Sequence, residues 1–211
     1  MNEAANQARE KALDAFLGLI AEKGYADVSL REVAEAAGLG FADLYRVYPD
    51  KLSLAAAFMA RIDAEVMAGT PSSIDPEETP RDRLFDVMMR RYDALRPHRA
   101  ALRALRRAGT RDPMLAIAMG PPLRRSMAAM LEAASVASDG LPGALRQNGL
   151  LAIHYAVSRV FDRDDSQDLS KTMAALDSRL KTAERWSQLF DRYVKSPERG
   201  VPSDAPVSPE V

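Results

Sequence analysis

The 211 residues contain no cysteine, which removes disulfides, thiolate metal sites and cysteine nucleophiles. His98 and His154 are the two histidines of the chain, too few for a histidine-rich metal site. No Ser-His-Asp set, metal-ligand spacing or glycine-rich phosphate loop can be assembled, so no catalytic residue, metal or cofactor is expected. No apolar run approaches the roughly 20 residues needed to span a bilayer. Residues 1–9 are polar and lack the apolar core of a signal peptide, so the expectation is a cytoplasmic protein without stable membrane insertion.

What is present is the balance of a globular chain, 47% hydrophobic and 28% charged. The net charge of −1 conceals a strong asymmetry. Residues 1–66 carry a net −4, 67–80 a net −3, 81–128 a net +8 and 129–211 a net −2. Positive charge, the usual footprint of nucleic-acid binding, is therefore concentrated in the middle of the chain.

Periodicity and punctuation read as all-helical, with about nine helices and no strand pattern or internal repeat. Ala8, Ala12, Phe16 and Ile20 recur every fourth residue and make one face of a helix over 5–23, which Gly24 can close. Ser29 and Glu32 have capping-box spacing and open a short helix to about 37. Gly38, Leu39 and Gly40 form a tight turn before a second short helix over 41–47. Pro49 stops it, and Asp50 is placed to cap a longer helix over 51–67, with Ala55, Phe58, Met59, Ile62 and Val66 as its buried stripe. Residues 68–80, rich in Pro, Ser, Thr and acids, read as a linker. Pro80, Pro97 and Pro113 each take the first position of a further helix, where a missing N–H costs nothing. Pro121 and Pro122 predict a kink or restart. Pro142 opens a helix to 161, a polar loop follows over 162–168, and a last helix runs over 169–195. The expected organisation is a head over 1–50, a connecting helix over 51–67, a body over 81–195 and a disordered tail over 196–211, which has four prolines and no periodicity.

Two short helices joined by a glycine turn, with a longer helix on either side, make a helix-turn-helix. In that arrangement the first short helix crosses the DNA backbone and the second enters the major groove. The strings AEKGY over 21–25, VSLREVA over 28–34, AGL over 37–39, LY at 44–45 and YPDK over 48–51 resemble the N-terminal signature of TetR-family repressors. The resemblance covers about residues 9–58. It implies a TetR-like fold and a regulator, a repressor by expectation, that binds a palindromic double-stranded DNA operator as a homodimer and is released by a hydrophobic ligand. It places Ser29 and Lys51 near phosphates, Gly40, Phe41, Ala42, Tyr45 and Arg46 on the recognition helix, and Tyr48 just after it, with Arg31 a further candidate for DNA binding. Gly40 stands where the family usually has a capping hydroxyl, and Asp43 puts an acid on that helix. Leu44 and Val47 read as packing.

The resemblance further implies an apolar pocket in the body and a four-helix dimer interface built from the last two helices. Met88, Met89, Tyr92, Leu95, Leu102, Leu105, Met114, Met127, Met130 and His154 are the candidate lining, methionine being adaptable to a greasy ligand, although a Met at helical spacing also reads as core. Leu150, Ile153 and Val157 with Leu176, Leu180, Ala183 and Trp186 are the candidate dimer face. The same stripe could instead close the subunit's own core.

The strings DALRPHR over 93–99, DDSQDLS over 164–170 and LDSRL over 176–180 are similar to the TetR-fold lipid-binding accessory family of ubiquinone biosynthesis, over about 82–190. That resemblance implies an isoprenoid lipid ligand and no operator. The chain departs from the mitochondrial members in its well-formed helix-turn-helix and its Pro-rich tail. Arg99, Arg103, Arg106 and Arg107 share one helical side. They suit a phosphate-bearing lipid or an anionic membrane surface, or a dimer or partner surface, or else pair with Asp82, Asp86 and Asp93 or lie solvated.

Overall fold

The computed structural model describes residues 3–71, 73 and 75–194, with side chains as far as 185 apart from that of residue 4. Its helices are α1 (Glu3–Lys23), α2 (Leu30–Ala37), α3 (Phe41–Val47), α4 (Lys51–Ala68), α5 (Pro80–Leu95), a 3-10 turn (Arg96–His98), α6 (Arg99–Arg111), α7 (Pro113–Ala133), α8 (Gly140–Phe161) and α9 (Ser170–Val194). No strand occurs among the described residues. The expected tail over 196–211 lies outside them.

The helix boundaries follow from local chemistry. The Glu32 amide donates to the Ser29 hydroxyl at 3.2 Å, and the Ser29 amide donates to Glu32 Oε2 at 2.8 Å, closing the capping box. Gly38 ends α2 at φ 65°, a left-handed conformation that costs a residue with a Cβ roughly 1–2 kcal/mol. Gly24, at φ 91°, closes α1 in the same region. Thr79 and Asp112 cap α5 and α7, each followed by proline.

Three expectations are corrected. Pro97 does not begin a helix; it lies in the 3-10 turn, and α6 starts two residues later. Pro121 and Pro122 do not restart α7, which runs through both. The carbonyls they orphan, on Ile117 and Ala118, lie where neighbouring Ile117 is 67% exposed, so water can replace the lost donors. The last helix starts at Ser170, because Leu169 takes φ 53° and is fully buried just before it. The strain of that conformation is offset by burial of the leucine.

One core runs through both parts. Phe16 and Ile20 of α1, Val33 of α2 and Leu44 of α3 are buried together in the head. Leu54, Phe58 and Ile62 of α4 carry the core on into the body, where Met88, Tyr92, Met127, Met130 and Phe161 fill it. α4 packs on α5 and α7, while α6 packs against α1 as well as α7, so head and body meet along two helices. Arg61 of α4 pairs with Asp14 of α1 at 2.6 Å and with Glu10 at 3.3 Å. Phe58 meets the ring of His98 edge-on at 5.2 Å. No helix among the described residues is long and apolar enough to cross a membrane.

Candidate nucleic-acid interface and the body behind it

Helix α3, the expected recognition helix, is fixed by one side chain and offers most of the others to solvent. Leu44 is its single buried residue, at 1% exposure. Phe41 is 40% and Tyr45 55% exposed, one helical turn apart, with ring centroids 6.2 Å from each other. Ala42 and Arg46 are exposed and Tyr48 is half-buried. Gly40 caps α3 without a side-chain bond. Asp43 leans over that end, and a Cβ at Gly40 would lie 3.0 Å from its Oδ2. The acid thus sits against the helix N-terminus, where the macrodipole favours it.

The cations of this face are largely engaged. Arg46 pairs with Asp43 at 2.9 Å on the exposed side of α3. Lys23 pairs with Glu32 at 3.0 Å. Lys51 Nζ donates to the Tyr25 carbonyl at 2.7 Å and lies 4.5 Å from the centre of that ring, and burial lowers its pKa. Arg31 is exposed 5.0 Å from the Phe41 ring centre and has no acidic partner among the described residues. Ser29 is committed to its capping box, which with Lys23 holds Glu32 down to about 2. The face is therefore aromatic and apolar at its centre, and Arg31, over the Phe41 ring, has no acidic partner among the described residues.

In the body, Met88, Met89, Tyr92, Leu95, Leu102, Met127, Met130 and His154 are buried and Leu105 is half-buried. Met114 stands apart: at the start of α7 it is 71% exposed, beyond the reach of the core. The Tyr92 hydroxyl lies 3.2 Å from His154 Nδ1. The Ser158 hydroxyl is buried beside them without a well-formed hydrogen bond. Burial raises the Tyr92 pKa. Burial, then repulsion by Arg91 and Arg106, pushes His154 down to about 3, so its imidazole is neutral. A second polar cluster, absent from the sequence reading, joins three helices. Arg91 of α5, fully buried, donates to Asp63 of α4 at 2.5 Å, and the Ser126 hydroxyl of α7 donates to the same oxygen at 2.6 Å.

Leu150, Val157, Leu176 and Leu180 are buried within the single chain, closing the pairing of α8 with α9, which is the alternative left open by their spacing. Ile153 is half-buried and Ala183 exposed; the Trp186 side chain lies outside the described residues. The large apolar residues that α8 shows to solvent are Leu141, Leu145 and Tyr155, with Met173 among the described side chains of α9.

The arginines do not pair with Asp86 or Asp93, and Asp82 is taken by Arg81 at 2.6 Å. They reach instead to the C-terminal end of α8 and its loop. Arg99 donates to the Asp164 carbonyl at 2.7 Å, Arg106 to that of Ser158 at 3.0 Å, Arg103 to that of Asp162 and Arg96 to that of Gln167. Positive charge there complements the helix dipole and the orphan carbonyls. Asp164 in turn accepts from the Thr172 amide and hydroxyl, each at 2.7 Å, and so caps α9. Burial works against its charge, but bonds from Ser166 and Thr172 hold its pKa at about 2. The strings over 93–99 and 164–170 thus meet, Arg96 and Arg99 of the first donating to backbone carbonyls of the second.

Residues 12–58 match the model of bacterial regulatory proteins of the tetR family. Its head is a TetR-family domain, carried on a TetR fold. The fold is shared with a TetR transcriptional regulator from Nitrosomonas europaea, at TM-score 0.67 and 19% identity over 84% of this chain and 98% of that one. A TetR transcriptional regulator from Rhodococcus sp. RHA1 gives 0.60 and 24%, with the same coverage. In sequence, the chain is 30% identical over 118 residues to the HTH-type transcriptional repressor KstR of Mycobacterium tuberculosis, covering 56% of this chain and 47% of the relative. It is 31% identical to KstR of Mycolicibacterium smegmatis over the same length, covering 56% and 51%. The chain spans about half the length of these curated relatives.

Proposed function

We propose that the protein is a TetR-type transcriptional repressor that binds a near-palindromic operator as a homodimer and leaves it when a hydrophobic ligand enters the body. The observation that carries this reading is the exposed pair Phe41 and Tyr45 on a seven-residue helix pinned by buried Leu44. A core has no use for two outward aromatics on so short a helix, whereas the major groove offers thymine methyls and base edges to such side chains. Arg31 and the exposed end of Arg46 meet phosphate, with Ser29, Gly40, Ala42 and Tyr48 at the rim. Lys51 acts chiefly by holding α4 to the turn after α1.

The dimer forms through the outward side of α8, where Leu141, Leu145 and Tyr155 are exposed, joined by Met173 of α9. The ligand enters the methionine-rich core beside Tyr92, His154 and Ser158, where a buried hydroxyl lacks a good partner and can take a polar group. Its arrival reaches the head through α4, which Asp63 locks to α5 and α7. The ligand shifts the balance only by its difference in affinity between the DNA-competent and released states.

Enrichment of random duplexes on the purified protein tests the reading. A near-palindrome with half-sites about 34–36 Å apart, one helical turn, is expected. A pool without consensus would contradict it.

A further inference from the structure

The arginine-rich segment holds more charge than its structural work uses. Arg99, Arg103 and Arg106 are spent on carbonyls at the end of α8 and its loop, and Asp162 is paired with Arg106. Arg107 on the next turn of α6 and Arg163 in the loop are exposed and have no acidic partner among the described residues. These cations line a surface cleft of about 630 Å³ between α6 and the loop over 162–169. Four arginines, Arg103, Arg106, Arg107 and Arg163, face two acids there, Asp162 and Asp165. Burial lowers the Arg106 pKa, and repulsion from Arg103, Arg159 and Arg107 lowers it further. The neighbouring cleft beyond Arg99 differs: Arg96 and Arg99 are both committed to loop carbonyls, and Asp164 and Asp165 line it too.

We propose that the cleft between α6 and the α8–α9 loop is a binding site for a small ligand bearing a diphosphate-type group, held by Arg107 and Arg163 and flanked by Arg103 and Arg106. The excess of two positive charges matches an anion of more than one charge. The volume falls in the range of small-molecule sites, about 300–1,000 Å³. Guanidinium forks bind phosphate oxygens in pairs, which explains arginine here in place of lysine. Because α6 also packs on α1 of the head, occupancy is felt where head and body join. The cleft adjoins the buried core around Tyr92 and His154 through Arg106, which donates to the Ser158 carbonyl, and the proposal does not depend on the operator reading.

The test is calorimetric titration of the whole protein with inorganic pyrophosphate, against sodium chloride at matched ionic strength, on the natural chain and on the double variant Arg107→Gln, Arg163→Gln. Both positions are exposed and have no acidic partner among the described residues, and Arg107 repels Arg106, so the variant melts no lower than the natural protein without ligand. Saturable binding of pyrophosphate, at least tenfold weaker in the double variant, is the expected result. Heat no greater than the chloride control, or equal affinity in the two proteins, overturns the proposal. Displacement of pyrophosphate by a duplex of unrelated sequence would assign the arginines to the DNA backbone and overturn it as well.

Discussion

Removing the carboxylate of Asp63 leaves Arg91 charged, fully buried and without its counter-ion. Breaking a buried pair from one side costs about 3–5 kcal/mol, because the remaining charge stays desolvated. Asp63 retains 19% side-chain exposure, so water can partly approach the vacated space and the low end applies. Ser126 loses its acceptor at the same time, adding about 1 kcal/mol. Asp63→Ala is therefore expected to lower stability by about 3–4 kcal/mol, which for a chain of this size is roughly 6–16 °C in melting temperature. Urea unfolding followed by helical circular dichroism measures the first figure and a thermal scan the second. The double variant Asp63→Leu, Arg91→Met removes both charges and is expected to recover most of the loss. A single variant within about 1 kcal/mol of the natural protein, or a double variant worse than the single, would refute the reasoning.

Four further outcomes follow from the same geometry. Because the unfolded chain protonates His154 near the usual value of about 6.5 and the folded one only near 3, its contribution is complete above pH 6.5 and lost as pH falls toward 3. Urea unfolding should show a loss of roughly 1.5 kcal/mol between pH 6.5 and 5 in the natural protein and not in His154→Gln; parallel curves for the two would count against it. Gly143→Ala puts a Cβ inside contact distance of the Ser138 carbonyl and should destabilise by about 1–3 kcal/mol. Gly149→Ala, in open space on the same helix, should stabilise by about 0.5–1 kcal/mol, and equal thermal shifts would sink the comparison. Asp43→Asn frees Arg46 and removes an acid from the DNA face, so operator affinity should rise severalfold, with a log K against log salt slope steeper by about one per half-site; a flatter slope speaks against that placement. Leu145→Glu with Tyr155→Glu should halve the mass seen by sedimentation, and an unchanged mass would move the interface elsewhere.

The helical frame was legible because its punctuation is local. Ser29 with Glu32, Gly38, Thr79 before Pro80 and Asp112 before Pro113 act within four residues of one another, and each ends or begins a helix where its chemistry requires. The Arg46–Asp43 pair is equally local, three residues apart, and its spacing could have been read as a cancelled charge. The destination of the arginines was not legible. Their partners lie some fifty to seventy positions away and are mostly backbone carbonyls, which carry no residue-type signal. Asp63 and Arg91 likewise meet across 28 positions. Periodicity marked an apolar stripe on α8 and α9, yet could not tell a face turned to its own core, as at Leu150 and Leu176, from one turned outward, as at Leu145 and Tyr155. The double proline misled because a helix can lose two amides at a wet surface and continue.

The central claim is that α3 reads DNA through Phe41 and Tyr45, and affinity measured on the enriched duplex tests it most directly. Fluorescence anisotropy of that duplex and of a scrambled control, at several salt concentrations, should give at least hundredfold preference in the natural protein. In Tyr45→Ala that preference should shrink at least tenfold, while binding to the control stays unchanged. Equal affinity for the two duplexes, or a Tyr45→Ala protein that discriminates as well as the natural one, would contradict the account.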